Sequence, residues 1–167
     1  FSQNNYFILR HGHSLRQVKK VSLCWPEKTR APLTKKGEKR GAQTAKLLKN
    51  KKIDLIFSSD LLRTRQTAEI VAKETGAKII LDKRLREYNV GIFNGKKPKL
   101  VWEYIGKQKD VIQAKPPKGE SLLDIRKRMY RFLKEINKKY QRKTILIVSH
   151  ELPLTLFEGA LKGQPLK

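Results

Sequence analysis

Two of the three histidines in this 167-residue chain stand directly after apolar runs, His11 in "YFILRHG" (6–12) and His150 in "TILIVSH" (144–150). Arg10 precedes the first of them and Gly12 follows it, while Arg63 and Glu87 each come a few residues after another apolar run, in "SSDLLR" and "LREYN". These residue types suit phosphoryl transfer. A guanidinium grips phosphate oxygens with bidentate, charge-assisted bonds, and a neutral imidazole can attack phosphorus in line. A carboxylic acid beside them would protonate the departing alkoxide and later activate water. The arginines already supply the positive charge that a metal would bring. With three histidines and one cysteine there is no recognisable ligand cluster, so neither metal nor cofactor is expected.

Five residues so far apart in sequence meet only if the fold carries them to one edge. Four segments read as strands: 6–10, 53–59, 78–82 and 144–150. They are continuously apolar and not alternating, as strands of a parallel sheet covered on both faces are. Helix-length segments lie between them. Thr34 can cap a helix running to about Lys49, and Ser59 or Asp60 can cap one through Ala72. From Ser121 to Lys139, Leu122, Ile125, Met129, Phe132, Leu133 and Ile136 recur at helical spacing with Lys and Arg opposite. This alternation predicts a three-layer α/β/α sandwich with a mostly parallel central sheet, one domain over residues 1–167. Ligands of open α/β sheets collect at the carboxyl ends of the strands, where Arg10, His11, Gly12 and His150 stand, and a first-turn Arg63 points the same way. Residues 83–119 hold no clear strand and read as a lid-like insertion, with Trp102 and Tyr104 as its apolar anchors.

The ordered motifs resemble those of the histidine phosphatase superfamily, the phosphoglycerate mutase-like proteins. They are "RHG" (10–12), "PLTKKG" (32–37), "SSDLLRTRQTA" (58–68), "LREYNVGIFNG" (85–95), "PPKGES" (116–121) and "VSH" (148–150). The resemblance implies that His11 is the nucleophile that becomes phosphohistidine, that Arg10, Arg63 and His150 hold the phosphoryl group, and that Glu87 is the general acid. Gly12 fits the close turn around the phosphate. Gln17 occupies the position of a phosphate-contacting Asn. His13 stands where relatives often carry Glu or Gln, at the pocket mouth, and Glu120 is either a helix-start charge or a substrate contact. Glu151 replaces a common Gly, and its carboxylate would repel a phosphate unless it points away. Relatives continue past "KGQPLK" into a further strand.

The remaining numbers bound the partners. No apolar run approaches the roughly 20 residues that span a bilayer, and the N-terminal stretch lacks a secretory pattern, so the expected compartment is the cytoplasm, with no membrane. Cys24, the single cysteine, cannot form an internal disulfide and reads as a small buried residue. The formal net charge is +24, from 39 Lys and Arg against 15 Asp and Glu. Such a field steers small phosphorylated substrates and attracts polyanions nonspecifically. The lysines are scattered along the chain, as on a solvated surface. The expectation is a metal-independent phosphatase of phosphomonoesters. A cofactor-dependent phosphoglycerate mutase and a basic, weakly catalytic module that binds nucleic acid or phosphoproteins are its alternatives.

Overall fold

A computed structural model describes residues 3–164. Four strands, β1 (Asn5–Arg10), β2 (Leu55–Ser58), β3 (Lys78–Leu81) and β4 (Thr144–Ser149), form one sheet in the order β1-β4-β2-β3. Every pairing in it is parallel. Helices α1 (Leu15–Lys19), α2 (Lys35–Lys49), α3 (Leu62–Thr75), α4 (Pro98–Gly106) and α5 (Leu122–Lys139) lie in the connections, and α6 (Glu151–Leu161) follows β4. The expected sandwich is what forms. The end of "KGQPLK" lies outside the described residues.

Successive residues of β4 show why its apolar run does not alternate. Ile145 and Ile147 join a core with Ile125, Met129 and Phe132 of α5 and Phe157 of α6. Leu146 and Val148 face the other way, onto Ala45 of α2 and Ala68 and Val71 of α3. Both faces of the sheet are therefore covered, and each side needs its own apolar set.

Local capping sets the helix starts. The Thr34 hydroxyl accepts from the Gly37 N–H, and Ser121 forms a capping box with Asp124. The start of α3 differs from expectation, because Leu61 is its N-cap. Ser59 and Asp60 are committed elsewhere: the Ser59 hydroxyl bonds the Leu61 N–H and His150, and the Asp60 carboxylate takes the Arg86 guanidinium at 2.6 and 2.7 Å. Glu27, from a distant loop, instead accepts the Leu62 N–H. The helix also runs on to Thr75 and stops at Gly76, whose φ of 74° is left-handed.

The segment 83–119 contains two short 3-10 turns and the nine-residue α4, which starts on Pro98. Val101 and Ile105 fix α4 in the same core as α5. Trp102, expected as an anchor, is 45% exposed and lies against the Tyr88 ring, 5.8 Å between centroids. Residues at i and i+4 point inward here, and Trp102 falls one step off that face.

Candidate active site

The carboxyl ends of β1 and β4 are adjacent because Arg10 pairs in register with Ser149. That single register brings His11 and His150 side by side, with ring centroids 5.3 Å apart. Arg63, in the first turn of α3 beyond β2, is fully buried between them. Its Nε donates to His11 Nε2 and its Nη2 to His150 Nδ1, each at 3.3 Å. Glu87 closes the group, with Oε2 3.6 Å from His150 Nδ1 and 3.9 Å from Arg63 Nη2. Five residues singled out from sequence, Arg10, His11, Arg63, Glu87 and His150, thus sit around one edge of the sheet.

The imidazole tautomers follow from their partners. His11 Nδ1 lies 2.8 Å from the Gly12 carbonyl, which can only accept, so the proton is on Nδ1 and the lone pair is on Nε2. Burial lowers the His11 pKa to about 3, helped by Arg63 and, more weakly, by Arg10 and Arg16. His150 is pushed well below its ordinary value by burial and then by Arg63. Both rings are neutral at pH 7, as an attacking imidazole must be.

Arg63 is held on several sides at once. Its Nη2 donates to the Leu23 carbonyl at 2.8 Å and its Nη1 to Glu27 at 3.2 Å. Burial lowers its pKa, and Glu87 and Glu27 oppose that shift. Glu27 went unnoticed in the sequence, although one carboxylate after "WP" in so basic a chain was a usable signal. Glu87 is held through its backbone. The Arg128 guanidinium donates to the Glu87 carbonyl at 3.2 Å and to the Arg84 carbonyl, and pairs with Glu120 at 2.8 Å. Glu120 also accepts the Asn89 N–H, so it is a strut beneath Glu87.

The remaining expected positions have other local partners. Gly12 donates its N–H to the Thr67 hydroxyl at 3.0 Å. A Cβ there would stand 3.1 Å from the Gly37 carbonyl oxygen, so α2 also requires a glycine at this position. Gln17 Oε1 accepts from the Ser14 N–H and hydroxyl, completing the cap of α1. His13 Nδ1 bonds the Thr34 hydroxyl at 2.9 Å. Arg10 is paired with Glu151 at 2.9 Å, the Arg10 side chain being partly and the Glu151 side chain largely exposed. Arg16, which sequence reasoning passed over, lines the cavity beside Arg10 and Glu87. Among so many cations nothing in its sequence neighbourhood distinguished it.

Among the described residues, His11, Glu87 and His150 each place one ligand atom within 4.8 Å of the others, the donor set of a two-histidine, one-carboxylate metal site. The fit is poor. His11 Nε2 and His150 Nδ1, which face this group, already accept from the Arg63 cation, and an ion there would meet a guanidinium in place of a free lone pair. The arrangement instead places two neutral imidazoles, a buried guanidinium and a carboxyl group at one point. No helix of the described residues is long and apolar enough to cross a membrane.

The parallel sheet and its flanking helices define an α/β protein with a cluster of histidine, arginine and glutamate at the carboxyl edge of its strands, and the chain belongs to the histidine phosphatase superfamily (branch 1), whose pattern matches residues 6–167. It is 33% identical over 164 residues to the probable phosphoglycerate mutase GpmB of Escherichia fergusonii, covering 95% of this chain and 75% of that one. Among solved structures it is similar to Bacillus stearothermophilus YhfR, with a TM-score of 0.84 at 28% identity over 98% of this chain and 82% of that one. A putative alpha-ribazole-5'-P phosphatase from Escherichia coli shares the fold, with a TM-score of 0.83 at 24% identity over 96% and 80% of the two chains.

Proposed function

We propose that the protein is a metal-independent phosphomonoesterase that works through a phosphohistidine at His11. The observation that carries this reading is the His11 ring itself, with Nδ1–H fixed on the Gly12 carbonyl and Nε2 turned to Arg63. A phosphoryl oxygen arriving at the site takes over the Arg63 Nε–H, which frees the Nε2 lone pair to face phosphorus. The lone pair forms the N–P bond as the P–O bond to the alcohol breaks, and Glu87 gives its proton to the leaving oxygen. Glu87, now a carboxylate, takes a proton from water as that water attacks phosphorus. The N–P bond breaks, inorganic phosphate leaves and His11 is neutral again. Arg63 and His150 hold the transferring group, and Arg10, Gln17 and Gly12 border it.

A phosphoglycerate mutase is the second reading, favoured by the similarity to proteins named as probable mutases. It uses the same side chains and differs in where the phosphoryl group goes. The charge of +24 supports weak, sequence-blind attraction of polyanions, since exposed cations occur both on α2, as Lys35, Lys36 and Lys39, and on α5 across the sheet, as Lys127, Arg131 and Lys134. Incubation with 3-phosphoglycerate and with p-nitrophenyl phosphate tests the choice. The phosphatase reading expects inorganic phosphate from an ester without 2-phosphoglycerate, whereas phosphate moved between carbons with none released favours the mutase.

A further inference from the structure

The cavity at this site restricts what a phosphate can be attached to. Its volume is about 330 Å³, small for a ligand pocket, and its charged lining residues are Arg10, Arg16, Glu87 and Glu151. Arg10 is taken up by Glu151, and Glu87 faces Arg63 and His150. Arg16 forms no ion pair with a described residue, and its Nε is buried without a hydrogen-bond partner. Arg16 lines the cavity beside Arg10 and Glu87, and its charge acts on His11, Arg63 and His150.

The rest of the lining is uncharged. Leu23, Val90, Val101 and Leu152 form a mainly apolar wall with the Tyr88 and Trp102 rings, in which the Tyr88 hydroxyl is buried without a hydrogen-bond partner. Burial pushes the Cys24 thiol up and the Tyr88 phenol up to about 12, so both stay neutral. A phosphoryl dianion uses the positive charge of Arg16 and Arg63. A second anionic group on the same molecule would lose water against this wall, face the Glu151 carboxylate and have to compete with it for Arg10.

We propose that this wall is a leaving-group subsite for an uncharged alcohol with a flat, apolar portion, so that the substrates are phosphomonoesters whose only anionic group is the phosphate. The proposal rests on the phosphomonoesterase reading and adds the substrate class to it. Trp102 is the residue through which to test it, because it lines the cavity while 45% exposed and its loss leaves the Val101 and Ile105 core contacts in place.

Three esters of alkyl alcohols, benzyl phosphate, glycerol 1-phosphate and 3-phosphoglycerate, are compared by phosphate release from the full chain. The subsite predicts kcat/KM for benzyl phosphate at least about tenfold above that for 3-phosphoglycerate. Trp102→Ala should lower the benzyl value by about tenfold, chiefly through KM, and the glycerol value by less than about twofold. A preference for 3-phosphoglycerate, or equal losses on the benzyl and glycerol esters in Trp102→Ala, overturns the proposal. His11→Ala separates the two claims. Release that survives in it overturns the phosphohistidine reading and the subsite with it, whereas complete loss together with a reversed substrate ranking overturns the subsite alone.

Discussion

Glu151 holds Arg10 across the mouth of the site, with its Oε2 2.9 Å from Arg10 Nη1. A phosphate that uses Arg10 must compete with this carboxylate. The Arg10 side chain is partly and the Glu151 side chain largely exposed, so the pair is weak, worth at most about 1 kcal/mol. Glu151→Ala should therefore raise kcat/KM for phosphomonoesters by up to about fivefold. Steady-state kinetics at one ionic strength checks this, and a slower variant would mean that the carboxylate assists the reaction.

Arg128 and Glu120 hold the backbone under Glu87, and both are mostly buried. Removing one partner of such a pair strands the other charge. Arg128→Ala should cost about 3 kcal/mol in urea unfolding. Because the Glu87 carbonyl loses its donor, the folded variant should also lose kcat more than KM. A stable variant with wild-type kcat would remove Arg128 from that positioning role.

The two buried imidazoles set an acid limit on stability. Unfolded histidine takes up its proton near the ordinary value of 6.5, whereas folded His11 does so only near 3 and His150 also well below 6.5. Below pH 6.5 unfolding therefore binds protons, and stability present above that pH is lost as pH falls toward about 3. The slope should reach about 1.4 kcal/mol per pH unit for each ring. Urea unfolding of the wild type between about pH 7 and 5 should show this decline, and His11→Gln should remove about half of it. A wild-type stability that is flat over that interval contradicts the buried neutral assignment.

The strands and the α5 stripe were legible because their pattern is dictated by burial. Ile145 through Val148 had to be apolar in succession once both sheet faces were covered, and Ile125, Met129 and Ile136 had to fall on one helix face. The residues at the strand ends were legible because polar groups directly after such runs have few structural uses. What escaped depends on tertiary contacts. Asp60 and Ser59 are good caps by type, but Arg86 and His150 claim them, and Leu61 is left at the cap. Gln17 and Gly12 carry the types a phosphate site uses, but their bonds to Ser14 and Thr67 could not be read from the sequence. Arg16, Glu27 and Arg128 are ordinary charges in sequence, and only their neighbours in space give them a place at the site.

The phosphohistidine proposal requires His11 Nε2 to receive the phosphoryl group. Rapid quench with a radiolabelled phosphomonoester should trap a phosphoenzyme that is labile in acid and stable in alkali, as a phosphoramidate is, with the label on His11 by peptide mapping. His11→Ala should lose both the label and the phosphate release. A label that persists in His11→Ala, or one that is stable in acid, would place the phosphoryl group on another residue.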